Sequence, residues 1–222
     1  MAERNPSPQP FIHVSVMPGN TAQKEWENVR KAATHCRNCP LWRDARQMVF
    51  GEGPVNSPVM LVGEQPGWQE DIAGRPFVGL AGHMLDKALA DAGISRNKTY
   101  VTNAVKHFKF ERRGQIQLHR KPTIGQIKAC RPWLEQERAI IRPKLIVAMG
   151  ASAVYGVFGK AMPVGKNRGK LLDLDETSKA IITIHPSFLL RMKKEDKPRE
   201  YRKFVADLRL LAPFVKARRK AA

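Results

Sequence analysis

The chain has 222 residues, 42% of them hydrophobic, enough for one well-buried domain and too apolar for a disordered polypeptide. No apolar run approaches the roughly 20 residues of a membrane span, and no basic patch leads into an apolar leader, so neither membrane insertion nor export is expected. Lys and Arg total 39 against 20 acidic residues, a net charge of +19, so the natural partner is a polyanion: DNA, RNA or an anionic surface. A merely soluble charged exterior is the plain alternative.

Residues 1–20 carry several Pro and Ser without helical periodicity and read as a flexible arm. Residues 21–34 look helical, with Thr21 as cap. Residues 58–63 (PVMLVG) form a short apolar run ending in Gly, the pattern of a buried parallel strand. Residues 80–92 predict an amphipathic helix stopped by Gly93. Residues 99–103 are a second strand, and a basic, irregular stretch fills 106–122. Thr123 caps a helix to about Ile141, in which Pro132 predicts a kink or a break. Residues 144–149 (KLIVAM) give a third strand, 150–158 a short helix, 179–184 (KAIITI) a fourth strand and 201–211 a final helix; 216–222 is a basic tail. Trp42, Trp68 and Trp133 read as packing residues.

Strand–helix alternation of this kind predicts an α/β fold: a three-layer α/β/α sandwich around a central, mostly parallel four-stranded sheet, in one domain over 21–215. Such sheets hold ligands beyond the carboxyl ends of their strands. The chemistry is therefore expected at 63–67, 103–107, 150–152 and 185–187.

Cys36, Cys39 and Cys130 are the three cysteines, an odd number that argues against a disulfide framework. The two-residue spacing of Cys36 and Cys39 suits a metal, a cluster or a redox dithiol, and thiolates suit zinc or iron–sulfur.

Five motifs stand in order: GEQPG (63–67), GRPFVG (74–79), TNAVKHFKF (102–110), ACRPWL (129–134) and HPSFLLR (185–191). Together they resemble the iron–sulfur uracil-DNA glycosylases known as family 4. Gln65, His107 and a histidine inside the basic loop resemble the UdgX-type branch of that superfamily. The resemblance spans about residues 36–191.

It implies an enzyme that flips uracil out of DNA, because a stacked base cannot be reached. Gly63, Gln65, Pro66 and Gly67 would form the turn that approaches the nucleotide, with Glu64 beside the sugar where positive charge develops. Phe77 would stack on the base, Asn103 would read its edge, and His185 would donate a hydrogen bond to the uracil carbonyl. Ser187 and Arg191 would meet phosphates, and Gln65, Trp68 and Asp71 would form the wall that rejects the thymine methyl.

In the same resemblance Cys36, Cys39, His107 and Cys130 hold a [4Fe-4S] cluster, with zinc on the same Cys3His set as the alternative. His119 is the loop residue that attacks C1′, so the product is a covalent protein–DNA adduct and turnover is single. The branch has basic residues directly before that histidine; here Gln115-Ile116-Gln117-Leu118 precede it, and Arg112 and Arg113 lie earlier. Two other readings stand beside this one: a turnover glycosylase in which Glu64 directs water, and a basic DNA-binding module without catalysis. The expected partner is uracil-containing DNA, single-stranded by preference. The protein is expected to be a monomer without a membrane partner, cytoplasmic and nucleoid-associated when on DNA.

Overall fold

The structure, a computed structural model, describes residues 20–216. Apart from residues 20 and 216, which end helices, the expected arm (1–20) and basic tail (216–222) lie outside the described residues. Helix α1 (Asn20–Ala33) carries its apolar residues at 26, 29 and 33, and this stripe lies over Met48, Phe50 and Ile140. A 3-10 turn at Pro40–Arg43 leads to strand β1 (Val59–Gly63), helix α2 (Trp68–Ala73) and helix α3 (Leu80–Asp91). Strand β2 (Thr99–Asn103) follows, then β3 (Phe110–Arg113), β4 (Ile116–His119) and helix α4 (Ile124–Ile141).

Strand β5 (Leu145–Met149) runs into α5 (Ala151–Phe158), and α6 (Val164–Asn167) precedes β6 (Leu171–Asp173) and β7 (Lys179–Thr183). Helices α7 (Pro186–Leu190), α8 (Lys197–Arg209) and α9 (Ala212–Lys216) close the described chain.

The main sheet has the order β2-β1-β5-β7-β6. The four strands expected from sequence are parallel; β6 adds a fifth, antiparallel strand at the edge. Successive side chains of a strand face opposite ways, and both faces are covered. Val59, Leu61, Leu145 and Val147 enter one core with residues of α3 and α8. Met60, Val62, Ile146 and Ala148 enter the other with residues of α4 and α5. The apolar runs without polar alternation thus reflect two helix layers.

Four details of the sequence expectation are changed or narrowed. The basic stretch is not irregular: β3 and β4 form an antiparallel hairpin in which Phe110 faces His119. Its Gly114-Gln115 tip has Gly114 at φ 60°, the positive φ that tight hairpin turns require. Helix α4 is not broken at Pro132. The helix expected at 201–211 begins earlier, at Lys197, ends at Arg209 and is followed by α9. Trp68 is not a packing residue, since 53% of it is exposed.

Candidate active site

The strand order reverses at β1 and β5: the chain goes from β1 outward to β2, then returns to the other side of β1. Ligands in open parallel sheets bind outside this point, and a cavity of about 1310 Å³ opens there. Glu64, Gln65, Phe77, Asn103, His119 and His185 all line it, from five separate stretches of chain; Ser187 and Arg191 line it too. Glu70, a residue not singled out from sequence, joins the two glycine-rich motifs. Its buried carboxylate accepts the Gly67 N–H at 3.0 Å and the Gly79 N–H at 2.8 Å.

Phe77 adopts φ 57°, a left-handed conformation that costs a residue with a side chain about 1–2 kcal/mol. Helix α3 passes directly against it: a β-carbon on Gly82 would lie 1.8 Å from the Phe77 carbonyl oxygen. Gly63 is equally constrained, because a β-carbon there would meet Asn103 Oδ1 at 2.4 Å and Phe77 Cζ at 2.5 Å. Two glycines thus allow an aromatic ring and a carboxamide to meet at the cavity floor. The His185 ring lies 5.9 Å from that of Phe77, centroid to centroid.

The tautomer of His185 follows from its neighbours. The Ser187 backbone N–H donates to His185 Nδ1 at 3.2 Å, and the Ser187 hydroxyl lies 2.8 Å from the same atom. Nδ1 is therefore an acceptor, and the ring proton sits on Nε2. Burial, with further lowering from His119 and Arg191, brings the His185 pKa down to about 4, so the ring is neutral at pH 7.

His119 reaches the cavity from the end of β4. Its Nε2 is 3.0 Å from Gln65 Nε2 and 3.6 Å from Glu64 Oε1. Gln65 Oε1 accepts the Lys109 N–H at 3.3 Å, so its NH2 faces the carbonyls of Lys109 and Arg120, each at 3.1 Å. An NH2 donates only; the His119 Nε2 it faces is the lone-pair side of a neutral ring. Burial lowers the His119 pKa and Arg191 adds to this, while Glu64 acts in the opposite direction. The Phe108 ring, 6.1 Å away, backs the imidazole. Glu64 Oε2 accepts the Ser152 hydroxyl at 2.5 Å.

Behind the cavity, Lys106 and Glu137 are wholly buried and 2.5 Å apart. Glu137 also accepts from Gly51 N–H, Tyr100 and Thr102, and the Lys106 ammonium donates to the Asn103 carbonyl at 2.8 Å. The backbone N–H of Lys106 donates to Cys130 Sγ at 3.2 Å.

Cys36 and Cys130 are buried, Cys39 is half-buried, and all three are free thiols. Cys130 feels both other cysteines, and its thiol is pushed up to about 12 chiefly by burial. The Trp133 indole N–H donates to Cys36 Sγ at 3.1 Å. The His107 ring is buried beside Arg37, with its pKa lowered to about 4 first by burial. Among the described residues, no three His, Cys, Asp or Glu side chains close into a cage for a single metal ion.

The expected residues do not all gather. Gly63 and Pro66 do not line the cavity. Asp71 does not line the cavity, in contrast to the wall expected from sequence: it is 1% exposed, and both its oxygens accept the Arg46 N–H at 3.1 Å. Gln65 and Trp68 do line the cavity.

An open parallel sheet with a cavity at its switch point, floored by a ring, a carboxamide and a neutral imidazole, is the frame of an α/β protein that takes a planar ligand. The chain belongs to the uracil DNA glycosylase superfamily, whose sequence profile matches residues 50–209. It is 37% identical over 177 residues to the type-4 uracil-DNA glycosylase of Thermotoga maritima, covering 79% of this chain and 88% of that protein. Type-4 uracil-DNA glycosylases of Pyrobaculum aerophilum (35% over 172 residues, 74% of this chain and 84% of that protein) and Sulfurisphaera tokodaii (34% over 172 residues, 74% and 75%) are similar to it as well.

Proposed function

We propose that this protein is a uracil-DNA glycosylase that captures the sugar it creates on His119, as in the UdgX-type branch. The observation that carries this reading is the position of His119 Nε2, 3.6 Å from Glu64 Oε1 across a cavity floored by Phe77, Asn103 and His185. An extruded uracil stacks on Phe77, and Asn103 reads its edge with one donor and one acceptor. The C1′–N1 bond breaks, and its electron pair leaves with the base. His185 Nε2–H donates to the carbonyl oxygen on which that charge collects. Glu64 stabilises the cationic sugar. The His119 lone pair then forms the bond to C1′; the resulting imidazolium releases its Nδ1 proton, and the uracil anion takes up a proton.

The thiols of Cys36, Cys39 and Cys130 and the imidazole of His107 would hold a [4Fe-4S] cluster. The donor set fits: two of the sulfurs already receive N–H donors, a feature of thiolate ligands in such centres, and burial keeps the His107 ring neutral, the form that ligates. The group would be structural, pinning the Cys36–Cys39 segment to Lys106, His107 and α4. Iron and sulfide in stoichiometric amount, with a brown colour that bleaches on oxidation, are the expected assay results; zinc alone would overturn this assignment.

The test of function is incubation with a single-stranded oligonucleotide carrying one dU, followed by denaturing electrophoresis. A slow band that survives heat and detergent is expected. Unshifted DNA that breaks at the uracil position in alkali would mean ordinary turnover through water. DNA left wholly intact would overturn the glycosylase reading.

A further inference from the structure

We propose that Ser152 is a positioning residue for Glu64, holding the carboxylate so that one oxygen faces the sugar and His119; this rests on the role given to Glu64 above. The pair lies 88 residues apart in sequence and bridges the point where the strand order reverses, Glu64 after β1 and Ser152 in the first turn of α5. The backbone of Glu64 is already fixed, since its carbonyl accepts the Val105 N–H at 3.0 Å. Its side chain is not: it has three rotatable bonds and is 22% exposed, so water competes for both oxygens. The Ser152 hydroxyl settles the competition. Ser152 is 2% exposed, and its one hydroxyl proton goes to Glu64 Oε2 at 2.5 Å.

With Oε2 tied down, the carboxylate plane is set, and Oε1 is the oxygen left towards His119. The dipole of α5 adds to the preference for negative charge at this place. Ser152 does not touch the reacting atoms; its effect passes through Glu64.

The test is a double-mutant cycle on single-turnover uracil release from a dU oligonucleotide, with the melting temperature of each variant measured alongside. Ser152→Ala is expected to slow release about ten- to a hundredfold, the scale of a lost hydrogen bond to a charged group. In a Glu64→Ala background the same change is expected to have no further effect, because no carboxylate remains to be held. Ser152→Cys, close in shape but a weak donor, carries the same cycle should the alanine variant fail to fold. Unchanged release in Ser152→Ala, or equal slowing in both backgrounds, would overturn the positioning role while leaving the glycosylase reading intact. A parent protein that leaves dU untouched would instead remove that reading, and this inference with it.

Discussion

Gln65 Nε2 stands 3.0 Å from His119 Nε2, across 54 residues of sequence. The same carboxamide holds both strands at the base of the hairpin, through Lys109 and Arg120. A residue in the turn after β1 thereby fixes where a hairpin histidine sits, and which of its ring nitrogens carries the lone pair.

That relationship separates two chemical steps. His119→Ser is expected to abolish the covalent adduct and leave uracil release measurable; a persisting adduct would exclude His119 as the nucleophile. Gln65→Ala keeps the nucleophile but releases the hairpin. It should slow adduct formation about tenfold or more, the scale of the hydrogen bonds removed, and slow uracil release less. Parallel time courses of free uracil and cross-linked DNA read both.

The pH dependence follows from the two imidazoles. His185 stays neutral down to about pH 4. Below that, protonated Nδ1 would face the Ser187 N–H donor to donor and the ring would lose its setting. Uracil release should therefore show no His185-dependent acid loss until pH approaches 4. His119 also titrates below an ordinary histidine, so adduct formation should still proceed at pH 6.5, where a free histidine is half protonated. Stability moves in the same sense. The unfolded chain protonates His185 near pH 6.5 and the folded chain near 4, so the contribution is complete above pH 6.5 and erodes as pH falls towards 4. Rate profiles and urea midpoints from pH 8 to 4 test both statements.

Lys106→Met leaves the buried Glu137 carboxylate without its cation and is expected to cost about 3–5 kcal/mol of stability, as for other broken buried pairs. Removing both charges, in Lys106→Met with Glu137→Gln, should cost less than the sum of the two single changes. Denaturant unfolding of the four proteins gives the coupling directly.

Gly82→Ala places a methyl where the Phe77 carbonyl now lies and must displace that residue. Loss of the stacking surface should weaken uracil-DNA binding by about 1–3 kcal/mol, read as a fall of about five- to 150-fold in the second-order rate constant of single-turnover uracil release. Gly125→Ala is the control: its β-carbon would meet nothing closer than 3.8 Å. In helix α4 it should gain up to about 1 kcal/mol of stability without loss of activity.

Local rules were enough for much of this protein. Three apolar runs and the β-branched, aromatic stretch 99–103 specified four parallel strands, because a sheet covered on both faces tolerates strands with no exposed polar side. The order of strands and helices then placed Glu64, Asn103 and His185 at one rim. The hairpin was harder to see: β4 alternates apolar and polar residues at 116–119 over only four positions, β3 shows no such pattern, and the remaining local signal is the Gly114 tip. Strand β6 is three residues long and half exposed, too short for any periodicity. Asp71 looked like a site residue by proximity in sequence, yet helix α2 turns it inward to a backbone N–H. The Glu64–Ser152 and Lys106–Glu137 pairs belong to the tertiary structure alone. Each joins side chains from separate elements, and whether a hydroxyl or an ammonium meets a carboxylate depends on how strands and helices stack, which no local pattern encodes.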